Sequence, residues 1–256
     1  MKKTIRKTVF ITGGAKRIGA VIAKKLTKLN FNVVVHYNKS KSEAKRLCSE
    51  INKEQEIVYS VKADLRNEKE LKKAFELAKI KFGYIDCLIN NASTFEYDNL
   101  KNVDNQIWNN HISTNLTAPL ILSKLFYNNL PKNKKGDIIN IIDQRVLNLT
   151  PNFLSYTISK SALWTLTKIL ALELAPMIKV NAIGPGPVIK SKFQTKEEFV
   201  RQCKKMPLKI GSKPEEIAET VSYILSLQSM TGQILTLDGG QHLGWGQVSK
   251  KNNIKD

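Results

Sequence analysis

Seven short runs of apolar and β-branched residues recur along the chain, at Thr8–Thr12, Asn32–Tyr37, Ile57–Val61, Cys87–Asn90, Ile138–Ile142, Lys179–Ile183 and Ile234–Leu237. Between them lie stretches with helical spacing: Arg17–Leu29, Ser42–Asn52, Glu68–Phe82, Asp104–Leu130, Asn152–Leu174 and Pro214–Leu227. Strands that are apolar almost throughout, alternating with helices, belong to a parallel sheet covered on both faces. Right-handed crossovers then give an α/β fold of the doubly wound Rossmann type, one parallel seven-stranded sheet with helices on both sides. A chain of 256 residues suits one such domain, and no repeat or Pro/Gly/Ser linker divides it. Only the tail Ser249–Asp256 reads as disordered.

Ligands of this fold bind beyond the C-terminal ends of the strands. The first strand-to-helix turn there is TGGAKRIG, Thr12–Gly19. Gly13 and Gly14 permit close approach of backbone to a ligand, and Gly19 lets the following helix sit tightly on the sheet. The helix start offers free N–H groups to a pyrophosphate, with Lys16, Arg17 and Ile18 at the lip of the turn. The second strand ends in His36-Tyr37-Asn38-Lys39-Ser40. An acid at that place binds the ribose hydroxyls of NAD. Here none is present; Ser40, Lys39 and Arg17 suit a 2′-phosphate instead, so the expected cofactor is NADPH. Arg17 is expected to reach the adenosine ribose. Asp64, followed by Leu65, either accepts a hydrogen bond from adenine or caps the next helix with Glu68 nearby. Asn91, Ala92 and Ser93 suit a wall against the nicotinamide ribose.

The fifth strand runs into Asp143, and a helix over Asn152–Leu174 places Tyr156 and Lys160 one turn apart on one face. A phenol with a pKa near ~10 is a poor proton donor at neutral pH, and an adjacent ammonium is expected to lower it. Lys160 can also hold the nicotinamide ribose hydroxyls. Asn115 is a candidate anchor for a water between Lys160 and solvent. Hydride then comes from NADPH, with Tyr156 as proton donor. Asp143 is either a turn or cap residue or part of this set. Burial would raise its pKa and Lys160 would oppose that.

The motifs TGGAKRIG, NNAS, Tyr156 with Lys160, and NAIGPG resemble the short-chain dehydrogenase/reductase family over nearly the whole chain. That family usually has glycine where Arg17 stands and a catalytic serine where Asp143 stands. Arg17, HYNKS, NNASTF and Asp143 in IIDQR ahead of YTISK are similar to its pteridine reductase and dihydromonapterin reductase members. The resemblance implies a pterin or folate-like substrate stacked by Phe95 against the nicotinamide and held by Ser93, Arg17, Asp143 and Tyr156. It also implies that Pro185, Gly186 and Val188 contact the nicotinamide carboxamide. Ile189–Met206 would be an irregular substrate lid, and the chain would assemble as a homotetramer or dimer. His242 and Trp245 would either reach a neighbouring subunit's pocket or be structural.

Composition changes this little. The net charge is +19, but the lysines are spread along the chain rather than clustered. They read as solvated helix faces, with no nucleic-acid partner expected; a nucleic-acid-binding module on the same scaffold is the non-enzymatic rival. Cys48, Cys87 and Cys203 form no CxxC pair and the three histidines are scattered, so no metal site is read. No signal peptide or membrane span is read, and a reduced cytoplasm fits best. A reductase of another carbonyl, a 3-oxoacyl thioester or a sugar ketone, is the enzymatic rival and would want serine at position 143.

Overall fold

A computed structural model of the protein describes residues 6–191 and 194–244. The strands are β1 (Thr8–Ile11), β2 (Asn32–Tyr37), β3 (Val58–Lys62), β4 (Cys87–Asn90), β5 (Gly136–Ile141), β6 (Ile178–Pro185) and β7 (Ile234–Leu237). They form one parallel sheet in the order β3-β2-β1-β4-β5-β6-β7. The order reverses between β1 and β4, so a crevice opens where their C-terminal ends part.

The pleat of β1 shows how the core divides. Val9 and Ile11 face one side, and Phe10 the other; none is exposed. Helices α1 (Arg17–Lys28) and α2 (Lys41–Ile51) cover the first side, together with α8 (Pro214–Ser226). Helices α3 (Glu68–Phe82), α5 (Ala118–Asn129) and α6 (Leu154–Glu173) cover the second. Each fully buried Leu, Ile or Phe contributes about 1.5–3 kcal/mol, which is why the apolar runs were readable as strands.

Three segments differ from the pattern. The stretch Asp104–Leu130 is not one regular helix: α4 (Asn105–Ile112) passes into a π-helical turn, Ser113–Thr117, before α5. Pro119 has no N–H to return to the carbonyl of Asn115 four residues back, so the ladder slips by one residue. Within the expected lid, Lys196–Lys204 forms helix α7, opened by a capping box: Thr195 Oγ accepts from Glu198 N at 3.2 Å and Glu198 Oε2 accepts from Thr195 N at 2.8 Å. It buries no residue, so no apolar stripe advertised it. Asp64 does not cap α3. Asn67 does, accepting from Lys69 N and Glu70 N. The tail Ser249–Asp256 lies outside the described residues.

Glu68 and Glu70 in the first turn of α3, with Lys79 and Lys81 in the last, suit its dipole. Asn67→Ala should therefore cost about 1 kcal/mol, seen as a lower urea midpoint with an unchanged slope.

Candidate active site

Thr12 ties the two sides of the crevice together. Its hydroxyl donates to the Ile89 carbonyl and accepts from Asn91 N at 2.9 Å and Ala92 N at 3.0 Å. The Asn91 amide returns two bonds, to the carbonyls of Thr12 and Gly13 at 2.8 and 3.2 Å. Asn91 thus fastens the nucleotide turn rather than lining it. His36 fastens the other side. Gly13 N donates to His36 Nδ1 at 3.1 Å, so Nε2 carries the proton toward the Ala63 carbonyl at 3.0 Å. Burial lowers the His36 pKa to about 4. His36 is a neutral brace within the core, not a surface presented to a cofactor. Leu65 is buried in the core beneath α3, and Ile18 and Val188 pack against the opposite core.

The turn itself fits a dinucleotide. Gly13 has φ +61, and a Cβ there would stand 3.1 Å from Ala92; a Cβ at Gly19 would run into Gly13 and Asn91. Lys16 at the start of α1 supplies no side-chain cap, and the first turn carries no acid. The first N–H groups of that helix are thus left for a phosphate. Beyond β2, Asn38 and Lys39 are exposed, and Ser40 opens α2 without spending its hydroxyl on a cap. Asp64 adds no free acid beside Tyr37 and Asn38: Arg66 grips both its oxygens and holds its pKa down to about 2. The expected bond to adenine would compete with that grip.

Arg17 departs from expectation. Its backbone is left-handed, φ 54, and its guanidinium donates to the Ile189 carbonyl at 3.4 Å. Ile189 follows β6, on the opposite side of β1 from β2. Arg17 therefore reaches across the crevice toward the loop after β6 rather than along β2. Gly186 N donates to Leu237 O at 2.8 Å, and a Cβ at Gly186 would strike Asp238, so the loop after Pro185 is held against β7.

At the chemical end, β5 leads into Asp143, whose two oxygens do different work. Oδ1 accepts from Arg145 N at 2.9 Å and caps a short 3-10 turn, Gln144–Val146. Oδ2 accepts from the Tyr156 hydroxyl at 2.9 Å. Asp143 is thus a cap residue and a hydrogen-bond partner of Tyr156 at once. Lys160 lies one turn further along α6, its Nζ 5.9 Å from the Tyr156 ring centre and 2.8 Å from the Ile141 carbonyl. Asn115, in the π turn, accepts from Thr94 N and the Ser93 hydroxyl and donates to Thr94 O and the Ser159 hydroxyl. Its side chain is a bracket for the Ser93–Thr94 loop, not a free anchor for water.

Burial dominates the electrostatics. It raises the Asp143 pKa against Arg145 and Lys160. It lowers Lys160 to about 8, against the pull of Asp143. It raises Tyr156 well above an ordinary phenol, and Asp143 adds to that, while Arg145 and a bond from Ser93 oppose. The lowered phenol pKa expected from the lysine is thus reversed: Tyr156 is held as a protonated donor.

Phe95 stands edge-on to Tyr156, ring centres 4.7 Å apart, and stacks on Phe153 at 4.4 Å. The Arg145 guanidinium lies 4.9 Å above Phe153. The sequence reading missed Arg145, Phe153 and His111. Phe153 is drawn in by a left-handed backbone at the start of α6, which no local pattern announces. His242 is paired with Asp238 at 2.8 Å; Trp245 lies outside the described residues. Among the described residues no group of His, Cys, Asp and Glu could hold a metal, and no helix is long and apolar enough to cross a membrane.

The family model for short chain dehydrogenases matches residues 7–199. The chain belongs to the short-chain dehydrogenase family. It is thereby an oxidoreductase. Glucose 1-dehydrogenase 2 of Bacillus subtilis (strain 168) is 32% identical, covering 93% of this chain and 95% of that protein. The 3-oxoacyl-[acyl-carrier-protein] reductase FabG of Buchnera aphidicola is 31% identical, covering 94% and 99%. A crystal structure of FolM alternative dihydrofolate reductase 1 from Brucella canis, complexed with NADP, matches with TM-score 0.91 at 40% identity, covering 96% of this chain and 98% of that one. Its counterpart from Brucella suis, also in complex with NADP, matches with TM-score 0.90 at 42% identity, covering 93% and 96%.

The His36 brace has a pH signature. The unfolded chain takes up the proton near pH 6.5 and the folded protein only near 4, so this stability is complete above 6.5 and lost as pH falls to 4. The loss should amount to roughly 3 kcal/mol. Chemical denaturation across that range should show a slope that shrinks in His36→Gln; an unchanged slope would place the proton uptake elsewhere.

Proposed function

We propose that the protein is an NADPH-dependent reductase of dihydropterin-type substrates: dihydrobiopterin, dihydromonapterin or dihydrofolate. The observation that carries this reading is the carboxylate of Asp143 on the Tyr156 hydroxyl, beside the aromatic wall of Phe95. A serine at position 143 could donate to a substrate carbonyl. A carboxylate only accepts, so it suits a ring edge that bears N–H groups. The likeness to two proteins described as alternative dihydrofolate reductases supports it.

Bound NADPH supplies the hydride. The open start of α1, the acid-free Asn38–Ser40 segment and the Lys160 ammonium are the groups that hold it. Tyr156 keeps its proton on Oη, engaged by Asp143, until a more basic ring nitrogen competes for it. Lys160 balances the Asp143 charge in a place that burial makes costly for either alone. Phe95, braced by Phe153, would supply the aromatic wall for a flat ring. Arg17 stands on the same side, at Ile189. Leu120 and Tyr127 on α5 and Ile158, Ile169 and Leu172 on α6 are exposed, and assembly into a dimer or tetramer would cover them. Cys48, Cys87 and Cys203 are unpaired thiols, as a reduced cytoplasm would keep them.

The relatives described as a glucose dehydrogenase and a 3-oxoacyl reductase favour a second reading, reduction of a carbonyl outside the pterins. Steady-state oxidation of NADPH with the three dihydropterins separates the two, and no turnover of any of them removes the first. Asp143→Ser should depress pterin turnover by on the order of 100-fold while leaving NADPH binding in place. The Lys160 ammonium is present below pH about 8 and lost above it. Turnover should therefore decline on the alkaline side with an apparent pKa near that value, and a profile flat to well above it would remove the ammonium from the mechanism.

A further inference from the structure

Beneath the aromatic wall runs a buried chain of three polar side chains that the chemistry above does not use. Asp98, His111 and Ser155 are each fully buried. Glu96 N donates to His111 Nε2 at 3.1 Å. A backbone amide can only donate, so Nε2 is an acceptor and the ring proton is on Nδ1. Nδ1 faces the Ser155 hydroxyl at 2.6 Å, and that hydroxyl in turn donates to Asp98 Oδ2. Every proton in the chain has one direction: Glu96 to His111 to Ser155 to Asp98.

Two members of this chain flank the aromatic pair. Glu96 follows Phe95, the wall of the site. Ser155 precedes Tyr156, the proton donor. The Asp98 carboxylate also accepts from Ser155 N, and its carbonyl accepts from Phe153 N at 2.8 Å and Leu154 N at 3.3 Å. Asp98 thus serves as the cap of α6 from outside the helix, with its charge at the favourable end of the helix dipole. The His111 ring also stands edge-on to Tyr156, centres 5.8 Å apart.

We propose that His111 is a positioning residue that sets the distance between Phe95 and Tyr156, and with it the width of the slot for a flat substrate ring. It rests on the reading of the site as a dihydropterin pocket. One ring nitrogen, Nε2, fixes Glu96 beside Phe95, and the other, Nδ1, holds Ser155 beside Tyr156, so neither aromatic can shift without straining the other's anchor. Protonation of Nε2 would set two donors against each other and release the Glu96 side. Burial lowers the His111 pKa and so protects the neutral form; Asp98 and Glu96 oppose this and Lys160 assists. The link is intact above the ordinary histidine pKa and weakens as pH falls through the lowered one.

The test compares His111→Leu, which removes both bonds, with His111→Gln, whose amide can accept from Glu96 and donate to Ser155. In the full-length enzyme, His111→Leu should raise the KM for the dihydropterin by about tenfold, the scale of one or two lost buried hydrogen bonds, with the NADPH dissociation constant within about twofold of the parent. His111→Gln should recover most of the loss. Hydrogen exchange should show the Glu96 and Ser155 amides losing protection in the Leu variant alone. An unchanged KM, a Gln variant no better than Leu, or equal losses of substrate and cofactor binding would overturn the proposal. If the parent turns over no dihydropterin, the functional reading falls, and exchange at the Glu96 and Ser155 amides alone decides whether His111 couples them. Should His111→Leu fail to fold, Ser155→Ala cuts the link on the Tyr156 side while keeping the Glu96–His111 bond and the main-chain bond to Asp98: a raised KM with NADPH affinity unchanged supports the proposal, and an unchanged KM overturns it.

Discussion

The carboxylate of Asp143 carries two obligations, and the site is arranged around meeting both. A buried carboxylate is costly unless its oxygens are bonded and its charge is matched. One oxygen is spent on the turn that ends β5, through Arg145 N, which fixes where the other must point. That second oxygen finds the Tyr156 hydroxyl on α6. The matching charge comes from Lys160 one turn along, anchored to the Ile141 carbonyl of the same strand, and from Arg145. Strand, turn and helix are thereby locked by groups that also define the chemistry.

Burial pushes all three titrating groups toward their neutral forms, and their mutual charges only partly oppose it. The result differs from a tyrosine activated as phenolate by a neighbouring lysine. Asp143 is nearer to the phenol than Lys160 in effect, and it strengthens the hold on the proton. On the proposed reading, a donor so held would release its proton only to a group formed inside the same pocket.

The sheet and most helices were legible because burial on both faces leaves an unmistakable apolar run, and amphipathic helices leave a stripe. The glycine turn, the acid-free end of β2 and the Tyr156–Lys160 spacing were legible for the same kind of reason: each is local. What could not be read was relational. Asn67 takes the cap of α3 because it directly precedes Glu68, while Asp64, four residues before the helix, is paired with Arg66. His36 and Asn91 are drawn to the Gly13 backbone by partners dozens of residues away. Helix α7 touches no core, so its capping box was its sole sign. Phe153 and His111 acquire meaning only once Asp98 is seen to cap α6 from a distant loop.

The two departures from the family pattern, at positions 17 and 143, now read as one feature. Position 17 has a left-handed backbone that glycine would adopt freely and arginine adopts at a cost of about 1–2 kcal/mol. Strain of that size at a crevice persists only where the side chain contributes something in return. Its guanidinium reaches the Ile189 carbonyl, just beyond β6. At 143, a buried carboxylate replaces a neutral hydroxyl and needs two nearby cations to be tolerated. In both places the chain has taken the more costly residue and placed a charge facing the same crevice, a cation from β1 and an anion from β5. That pair fits the proposed reading: a flat ring with acceptor and N–H groups along one edge would use both.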